Sequence, residues 1–307
     1  MHHQPESDSG HARKPWLAVL LSVAATGLGH IYCGRLVKGV TLFFVSFAFA
    51  PIMVGAAQHA AATTMLVFMI VSLIGMFAVF VYAAIDAGLL ARRTHSHYSL
   101  KDYNRWYLYL IMIVVAAAYP TNMAQTIRNH VLQAFKVASA SMAPGLLRGD
   151  RVFLNKAIYT TRAPRRGDAV IFVYPNDRRL FYLKRIVALP GDSVEIKNNQ
   201  LWINDMPLTQ EAVPDAAPLH TPADNIGRTV MEINGAARYP INVPPEKNAD
   251  MPRLIVPNGH CFVLGDNRGA SKDSRTFGPV PLADIKGRIA YIYWPARNWS
   301  RFGKYPY

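Results

Sequence analysis

The chain has 307 residues, of which 51% are apolar and 17% charged, and its formal net charge is +14. Ordinary soluble domains carry roughly 25% charged residues, and a chain this apolar is not disordered. Windows of 20, 47 and 22 residues without Asp, Glu, Lys or Arg follow Lys14, Lys38 and Arg105. Because a membrane-spanning helix needs about 20 apolar residues, these windows exclude a purely soluble protein.

Residues 1–120 are predicted to form a membrane domain of three to four transmembrane helices. Their apolar runs are Trp16–Tyr32, Val40–Ala57, Met65–Ile85 and Tyr107–Tyr119. No charge separates the second run from the third, whereas four basic residues separate the third from the fourth. Since Lys and Arg concentrate in cytoplasmic loops, the second and third runs form a hairpin with its tip outside, and the fourth leads to the extracytoplasmic face. The first run has basic residues at both ends, so spanning, re-entrant and interfacial paths stay open.

Two polar residues stand out in this apolar half. His30 lies in the segment Gly27–Arg35, which resembles the Gly/His/Tyr turn of small two-helix membrane modules, and we interpret it as a helix-turn residue. Asp86 follows the third run. We expect it to be interfacial and to pair with Arg92, Arg93 or water.

Residues 121–307 carry 25 Lys and Arg against 15 Asp and Glu, spread throughout, which predicts a water-soluble domain. Short β-rich runs bounded by turn residues predict a mainly-β domain of antiparallel sheets. These runs are Arg151–Leu154, Ala169–Tyr174, Leu180–Ala188, Ser193–Ile196, Gln200–Ile203, His260–Leu264 and Gly287–Tyr293. Residues 207–256, rich in Pro, Ala, Asn and Asp, are predicted to be an extended loop or insertion.

Candidate chemistry begins in the segment Ser139–Pro144 (SASMAP), where two serines precede a proline. A serine hydroxyl is a weak nucleophile that needs an adjacent base. Lys184 lies in the apolar run Leu180–Ala188. Partial desolvation there would lower the pKa of its amine, so that the neutral form could accept a proton. Such a Ser/Lys dyad needs no histidine, and none of the ten histidines falls in a recognisable triad signature.

Three further segments follow the serine pair in order. They are Arg148–Val152 (RGDRV), Phe181–Asp192 (FYLKRIVALPGD) and Gly265–Arg275 (GDNRGASKDSR). In order and composition, the four segments resemble the sequence boxes of the bacterial type I signal peptidases, or leader peptidases, over about residues 135–295. The resemblance implies an N-terminal α-helical transmembrane region followed by a mainly-β Ser/Lys peptidase domain at 121–307, with no cofactor and no metal.

The resemblance also implies the roles of individual residues. Ser141 corresponds to the nucleophile and Lys184 to the general base. The Ser139 hydroxyl and the Ser141 backbone N–H correspond to the oxyanion hole.

Other positions correspond to supporting and binding residues of the family. Ser271 corresponds to the serine that orients the lysine, and Asp273 and Arg275 to an ion pair that holds the last segment against the site. The walls of shallow apolar substrate pockets correspond to Phe135, Val137, Met142, Ile171, Tyr182 and Leu183.

The last segment of the chain, Trp294–Tyr305, mixes aromatic with basic residues. Both kinds of residue favour the bilayer interface. We expect the segment either to contact the membrane or to be an exposed tail.

Together with the membrane domain, the resemblance implies a membrane-bound serine endopeptidase that removes N-terminal signal peptides from exported proteins after small-x-small (Ala-x-Ala) sites. Its expected partners are the signal peptides of preproteins and the phospholipid membrane. The expected location is the bacterial inner membrane, multi-pass, with the catalytic domain on the periplasmic or extracytoplasmic side. No nucleic-acid partner is expected, because the basic residues form no stripe with recognition motifs.

Two alternatives stay open. One is a related Ser/Lys peptidase with a specialised substrate, as in conjugation-associated processing. The other is a non-enzymatic membrane module with a degenerate peptidase domain.

Overall fold

The computed structural model describes residues 13–59, 62–94, 102–213, 227–246 and 250–303, without the side chains of 53–59 and 62–66. The chain divides into two compact units, Met1–Arg128 and Asn129–Tyr307. Parts of three predicted features lie outside the described residues. They are the tip of the predicted hairpin at 60–61, residues 214–226 and 247–249 of the predicted loop, and the chain end at 304–307.

The first unit is helical. Its helices are α1 (Pro15–Ala24), α2 (Leu28–Tyr32), α3 (Leu36–His59), α4 (Ala62–Arg93) and α5 (Trp106–Thr126). Among the described residues, two stretches are long and apolar enough to cross a membrane: Val67–Arg93, with a mean hydropathy of 2.5, and Trp106–Val131, with 1.5. The second predicted run lies in α3, whose apolar part Leu36–Ile52 is shorter. Helix α5 continues through Pro120, past the predicted end of the fourth run.

The first apolar run is divided between two helices. α1 ends at Ala24 and α2 begins only at Leu28. At about 1.5 Å per residue, the 10 residues of α1 extend about half of the roughly 30 Å hydrocarbon thickness of a bilayer. The run Trp16–Tyr32 therefore does not form a single spanning helix.

Asp86 on α4 pairs with residues of α2 and α3. Its Oδ2 lies 2.7 Å from Nε2 of the fully buried His30 and accepts a hydrogen bond from Lys38 Nζ at 2.7 Å. The expected pairing with Arg92 or Arg93 is wrong. Helices α2 and α3 pack against this part of α4, and polar groups in an apolar setting pair with one another.

The second unit contains fourteen strands in the part of the chain that the structure describes. They are β1 (Leu132–Lys136), β2 (Arg151–Asn155), β3 (Ala169–Val173), β4 (Phe181–Ala188), β5 (Ser193–Lys197), β6 (Gln200–Ile203), β7 (Met206–Pro207), β8 (Thr209–Ala212), β9 (Arg228–Asn234), β10 (Ala237–Val243), β11 (Met251–Ile255), β12 (His260–Leu264), β13 (Val280–Pro281) and β14 (Ile285–Trp294). Two short helices accompany them, α6 (Ile158–Thr161) and α7 (Ser274–Phe277).

The strands form three antiparallel sheets. The largest has seven strands in the order β1-β2-β14-β3-β4-β12-β13, and the others have the orders β10-β9-β8 and β11-β5-β6-β7. In the large sheet, Lys184 on β4 lies opposite Val170 on β3. The predicted fold class, N-terminal helices followed by a mainly-β domain of antiparallel sheets, is confirmed.

The segment 207–256 is not an extended loop over its described residues. Strands β8 to β11 occupy much of it, and β9 pairs with β10 along seven residues of each strand. The sequence pattern missed these strands because some of the Pro and Asn residues that suggested a loop lie inside them, namely Asn234, Pro240, Asn242 and Pro252. Glu232, Asn234 and Asn242 are each at most 1% exposed, so polar residues here are core residues.

The loop between β1 and β2 is anchored by the core. Met142 and Leu146 from this loop are buried and pack with Val137, Val152 and Ile289. Burying a large apolar side chain contributes roughly 1.5–3 kcal/mol. This packing fixes the backbone on either side of Ser141.

Candidate active site

The structure brings Ser141 and Lys184 together. Ser141 lies in the loop between β1 and β2, and Lys184 lies within β4. Lys184 Nζ is 2.7 Å from Ser141 Oγ and donates to the Leu183 carbonyl oxygen at 3.0 Å. Ser141 is 8% exposed and Lys184 4%. A potential nucleophile and a potential base are thus in hydrogen-bond contact in a largely dry environment.

Burial lowers the pKa of Lys184 to about 8. The carboxylates of Asp273 and Asp266 act in the opposite direction by favouring the ammonium form, while Arg275 adds to the lowering. No carboxylate of the described residues forms an ion pair with the amine within 4 Å. About a tenth of the amine is therefore neutral at pH 7 and about half at pH 8, and the neutral form can accept a proton.

Ser139 places a second hydroxyl beside that of Ser141. Its Oγ lies 3.0 Å from Ser141 Oγ, and either oxygen can donate. Ser139 is exposed, at the open side of the site. A hydroxyl here can donate to a group that approaches Ser141.

Ser271 does not make the contact predicted for it. Its Oγ is buried and forms no hydrogen bond with Lys184, whose amine contacts Ser141 and Leu183 instead. Ser271 is nevertheless packed beneath the site. A Cβ added at Gly265 would lie 2.1 Å from Ser271 Oγ and 2.6 Å from the Ser141 carbonyl oxygen. Gly265 is required for that close approach.

Asp273 and Arg275 form an ion pair that organises the segment after β12. Arg275 Nε and Nη2 each donate to Asp273 at 2.8 Å, and the Gly265 N–H donates to Asp273 Oδ2 at 2.9 Å. Burial alone would raise the pKa of Asp273, but the hydrogen bond and charge of Arg275 hold it below its usual range. The carboxylate also caps α7 by accepting from the Arg275 backbone N–H.

Asn267 connects the segment after β12 to the loop that contains Ser141. The Asn267 N–H donates to the Ser141 carbonyl oxygen at 3.0 Å, and Asn267 Nδ2 donates to the Ala140 carbonyl oxygen at 3.3 Å. Asn267 therefore links the segment that contains the Asp273–Arg275 ion pair to the loop that contains Ser141.

Arg301 is a supporting residue that the sequence did not suggest. It donates to both carboxylate oxygens of Asp150, at 2.9 and 2.7 Å, and to the Gly145 carbonyl oxygen at 2.9 Å. Arg301 is 1% exposed and Asp150 fully buried. Asp150 also accepts from the Leu147 N–H at 2.8 Å. Arg301 and Asp150 are 151 residues apart in the chain, so no local sequence pattern links them. Only the fold shows that their ion pair holds the loop between β1 and β2.

Most of the described part of the C-terminal segment, residues 294–303, is exposed, and Trp294 and Trp299 are 53% and 58% exposed. Arg301 is an exception, because its buried side chain fixes the segment to the domain. The described end of the chain therefore packs into the domain through its arginine while presenting its tryptophans at the surface.

A cleft of about 400 Å³ contains Ser139, Ser141 and Lys184. All six predicted pocket residues line it: Phe135, Val137, Met142, Ile171, Tyr182 and Leu183. Val137, Met142 and Ile171 are each at most 5% exposed and form a rigid apolar floor. Residues not predicted for the cleft also line it, namely Lys136, Ala138, Val152, Phe181, Ala270 and Lys272.

Comparisons with known proteins identify the family of this chain. A family model described as signal peptidase, peptidase S26, matches residues 104–294. Signal peptidase I of Aquifex aeolicus (strain VF5) is 31% identical over 219 residues, which cover 61% of this chain and 83% of the relative. Signal peptidase IB of Staphylococcus aureus (strain COL) is 32% identical over 166 residues, covering 54% and 79%.

A plant relative and a solved structure also match. Thylakoidal processing peptidase 1, chloroplastic, of Arabidopsis thaliana is 32% identical over 186 residues, covering 56% of this chain and 45% of the relative. The crystal structure of a signal peptidase I from Enterococcus faecalis V583 is 30% identical and covers 41% of this chain and 97% of that one. Its TM-score is 0.27, too low to support a statement about the fold.

Proposed function

The chain belongs to the signal peptidase S26 family, and on that premise we propose that Ser141 is its nucleophile and Lys184 its general base. The chain is a hydrolase, a serine peptidase that removes signal peptides. One observation carries the dyad: the 2.7 Å contact between Lys184 Nζ and Ser141 Oγ inside the cleft. The lowered pKa of Lys184, about 8, supports the role of a neutral base.

In the proposed reaction, the neutral Lys184 amine accepts the Ser141 proton as Oγ attacks the carbonyl carbon of the scissile bond. The resulting ammonium then returns the proton to the leaving amine, and an ester to Ser141 remains. Lys184, neutral again, takes a proton from water as the water attacks that ester, and its ammonium returns the proton to Ser141 Oγ as the bond between Oγ and the carbonyl carbon breaks and the carboxylic acid product leaves. The Leu183 carbonyl, 3.0 Å from Nζ, restrains the amine beside Oγ during these transfers.

The tetrahedral intermediate needs hydrogen-bond donors for its oxyanion. We assign this role to the Ser141 backbone N–H and the Ser139 hydroxyl. Ser139 Oγ lies 3.0 Å from the nucleophile, so rotation of its O–H toward the substrate carbonyl is sufficient. Removing one such donor costs about 3–4 kcal/mol of transition-state stabilisation.

The cleft supports cleavage after small-x-small sites. Its floor consists of the buried side chains of Val137, Met142 and Ile171, so a large substrate side chain would overlap with them. Strand β1 is an edge strand of the seven-stranded sheet and carries Phe135. An extended signal peptide can pair with such an edge while its alternate side chains enter the pockets.

The two apolar stretches Val67–Arg93 and Trp106–Val131 support a membrane-bound enzyme. The distribution of Lys and Arg supports a multi-pass protein of the bacterial inner membrane. The second unit, Asn129–Tyr307, which we call the catalytic unit, then lies on the extracytoplasmic side. Signal peptides become accessible on that side, since exported chains emerge there.

Processing of a preprotein with an Ala-x-Ala site by the detergent-solubilised chain tests the dyad. We expect Ser141→Ala and Lys184→Ala to abolish detectable cleavage. The exposed residues Ser300 and Lys286 provide matched controls, and we expect Ser300→Ala and Lys286→Ala to cleave like the wild type. Equal processing by the wild type and either dyad variant would refute the assignment.

A second substrate tests the pockets. Replacing the alanine before the cleavage site by phenylalanine is expected to prevent cleavage, because the floor of the cleft leaves no room for an aromatic ring. Efficient cleavage of that substrate would show that the pockets do not select small residues.

A further inference from the structure

A second cavity, of about 320 Å³, lies in the catalytic unit and shares no lining residue with the cleft. We call it the arginine pocket, because six arginines line it: Arg162, Arg165, Arg166, Arg185, Arg238 and Arg288. They come from the turn before β3, from β4, from β10 and from β14. Four separate parts of the chain therefore contribute arginine side chains to the lining of one pocket.

The carboxylates around the pocket are too few to neutralise these cations. The ion pairs are Arg162 with Asp168, Arg166 with Asp192, Arg185 with Asp266, and Arg238 with Glu211. Arg288 shares Asp168 with Arg162 and lies 3.4 Å from it. Arg165 is exposed, and no carboxylate of the described residues pairs with its guanidinium. Within the part of the chain that the structure describes, six cations therefore face four carboxylates, which leaves two positive charges.

Asp168 is already saturated by other donors. Besides the two hydrogen bonds from Arg162, it accepts from Tyr159 Oη at 2.9 Å and from the Arg165 backbone N–H at 3.0 Å. The long contact to Arg288 adds little to these. Arg165 and Arg288 consequently have donor capacity left for an external anion.

The pocket is preformed. Arg185 is 1% exposed and stacks over the Tyr239 ring, 4.2 Å from its centroid. Gly167 has a φ of 91°, and a Cβ there would lie 2.2 Å from Ala237 Cβ, so the turn before β3 is packed against the β9–β10 hairpin. The turn that carries Arg165 is therefore held in place before an anion arrives, which reduces the conformational entropy lost on binding.

We propose that the arginine pocket binds a phosphate group, carried by an anionic phospholipid headgroup or by free phosphate. The guanidinium fork matches the geometry of phosphate oxygens and binds them through paired, charge-assisted hydrogen bonds. Two unneutralised guanidinium groups in a concave site match the charge of one phosphate. The site is independent of the Ser141–Lys184 dyad and of the proposed reaction.

The full chain, solubilised in a neutral detergent, provides the test. Binding is followed through the ³¹P NMR linewidth of three probes: inorganic phosphate, short-chain phosphatidylglycerol and short-chain phosphatidylcholine. The pocket variant is Arg165→Gln/Arg288→Gln. Its control, Arg179→Gln/Arg253→Gln, removes the same charge from exposed arginines that pair elsewhere, with Asp177 and Asp205.

We expect saturable binding of at least one anionic probe to the wild type and the control, and about tenfold weaker binding for each lost guanidinium contact. Stronger binding of phosphatidylglycerol than of inorganic phosphate supports a lipid headgroup, and the reverse supports free phosphate. Preprotein cleavage at the wild-type rate verifies that the pocket variant is folded. An equal loss in both double variants, or no saturable binding by either anion, would overturn the proposal.

Discussion

Two consecutive residues of β4 line different cavities: Lys184 lines the active-site cleft and Arg185 lines the arginine pocket. Lys184 and Arg185 are both buried cations on β4, with exposures of 4% and 1%, and successive side chains of a strand point to opposite faces. Lys184 forms no ion pair with a described carboxylate and contacts a hydroxyl and a carbonyl. Arg185 forms a bidentate pair with Asp266, with contacts of 2.7 and 2.6 Å.

The difference shows how one strand can bury a base and a permanent charge side by side. Without a paired carboxylate, burial lowers the pKa of Lys184 to about 8. A guanidinium does not deprotonate in proteins, so Arg185 needs the full compensation that Asp266 provides. The carboxylate partner, rather than burial itself, distinguishes a reactive buried cation from a structural one.

The largest expected effect comes from removing the base. Lys184→Met keeps the length of the side chain but removes its amine, and we expect kcat/KM for preprotein cleavage to fall by about 10²–10⁴-fold. The exposed residue Lys286 provides the control variant Lys286→Met, which we expect to retain wild-type activity. A fall of less than tenfold for Lys184→Met would mean that another group serves as the base.

Breaking the Arg185–Asp266 ion pair should lower the free energy of unfolding. Asp266→Asn removes the carboxylate that pairs with the buried Arg185 guanidinium, which costs about 3–5 kcal/mol. Pulse proteolysis of the solubilised chain across a urea series, following the catalytic unit, measures this loss. Asp205→Asn is the matched control, because the side chains of Asp205 and its partner Arg253 are 64% and 54% exposed and such pairs contribute about 0–1 kcal/mol. Similar losses in both variants would contradict the distinction drawn between them.

The pH dependence of cleavage tests the pKa of Lys184. The base must be neutral, and burial lowers its pKa to about 8, so activity should rise as the pH increases through 8 and level off above it. At pH 7 we expect kcat/KM to be about tenfold below the plateau. A profile that stays flat down to pH 6 would be incompatible with a neutral-amine base.

The smallest expected effect is a gain in stability. The pKa of Lys184 is lower in the folded state than in the unfolded state, so burial of the ammonium destabilises the fold fully below about pH 8 and progressively less as the pH rises toward the ordinary lysine pKa of about 10.4. Lys184→Met should therefore raise the free energy of unfolding at pH 7 by on the order of 1 kcal/mol. The gain should shrink between about pH 8 and about pH 10.4 and be lost at higher pH, where the lysine is neutral in both states. Pulse proteolysis at the two pH values measures it, and a destabilised variant at pH 7 would show that the amine contributes net favourable contacts.

The part of the active site that could be predicted depends on residues that are close together along the chain. The apolar run around Lys184 predicted a buried strand lysine, and the segments containing Ser141 and Asp273 predicted their proximity through family resemblance. Ser271 was assigned a contact with the lysine that the structure does not contain, because resemblance transfers a residue's place but not its hydrogen-bond partner. The two cations that distinguish the arginine pocket, Arg165 and Arg288, gave no signal, since they lie on separate elements.

The sequence by itself determined the properties that depend on neighbours along the chain. Charge-free windows, alternating strands and turn residues act over a few positions, so the helical and mainly-β halves and the strand of Lys184 could be read directly. The tertiary structure alone decided the contacts between distant positions: His30 with Asp86, Arg301 with Asp150, and the strands within 207–256. The energies of these contacts arise from burial, and burial is created only when the whole chain folds.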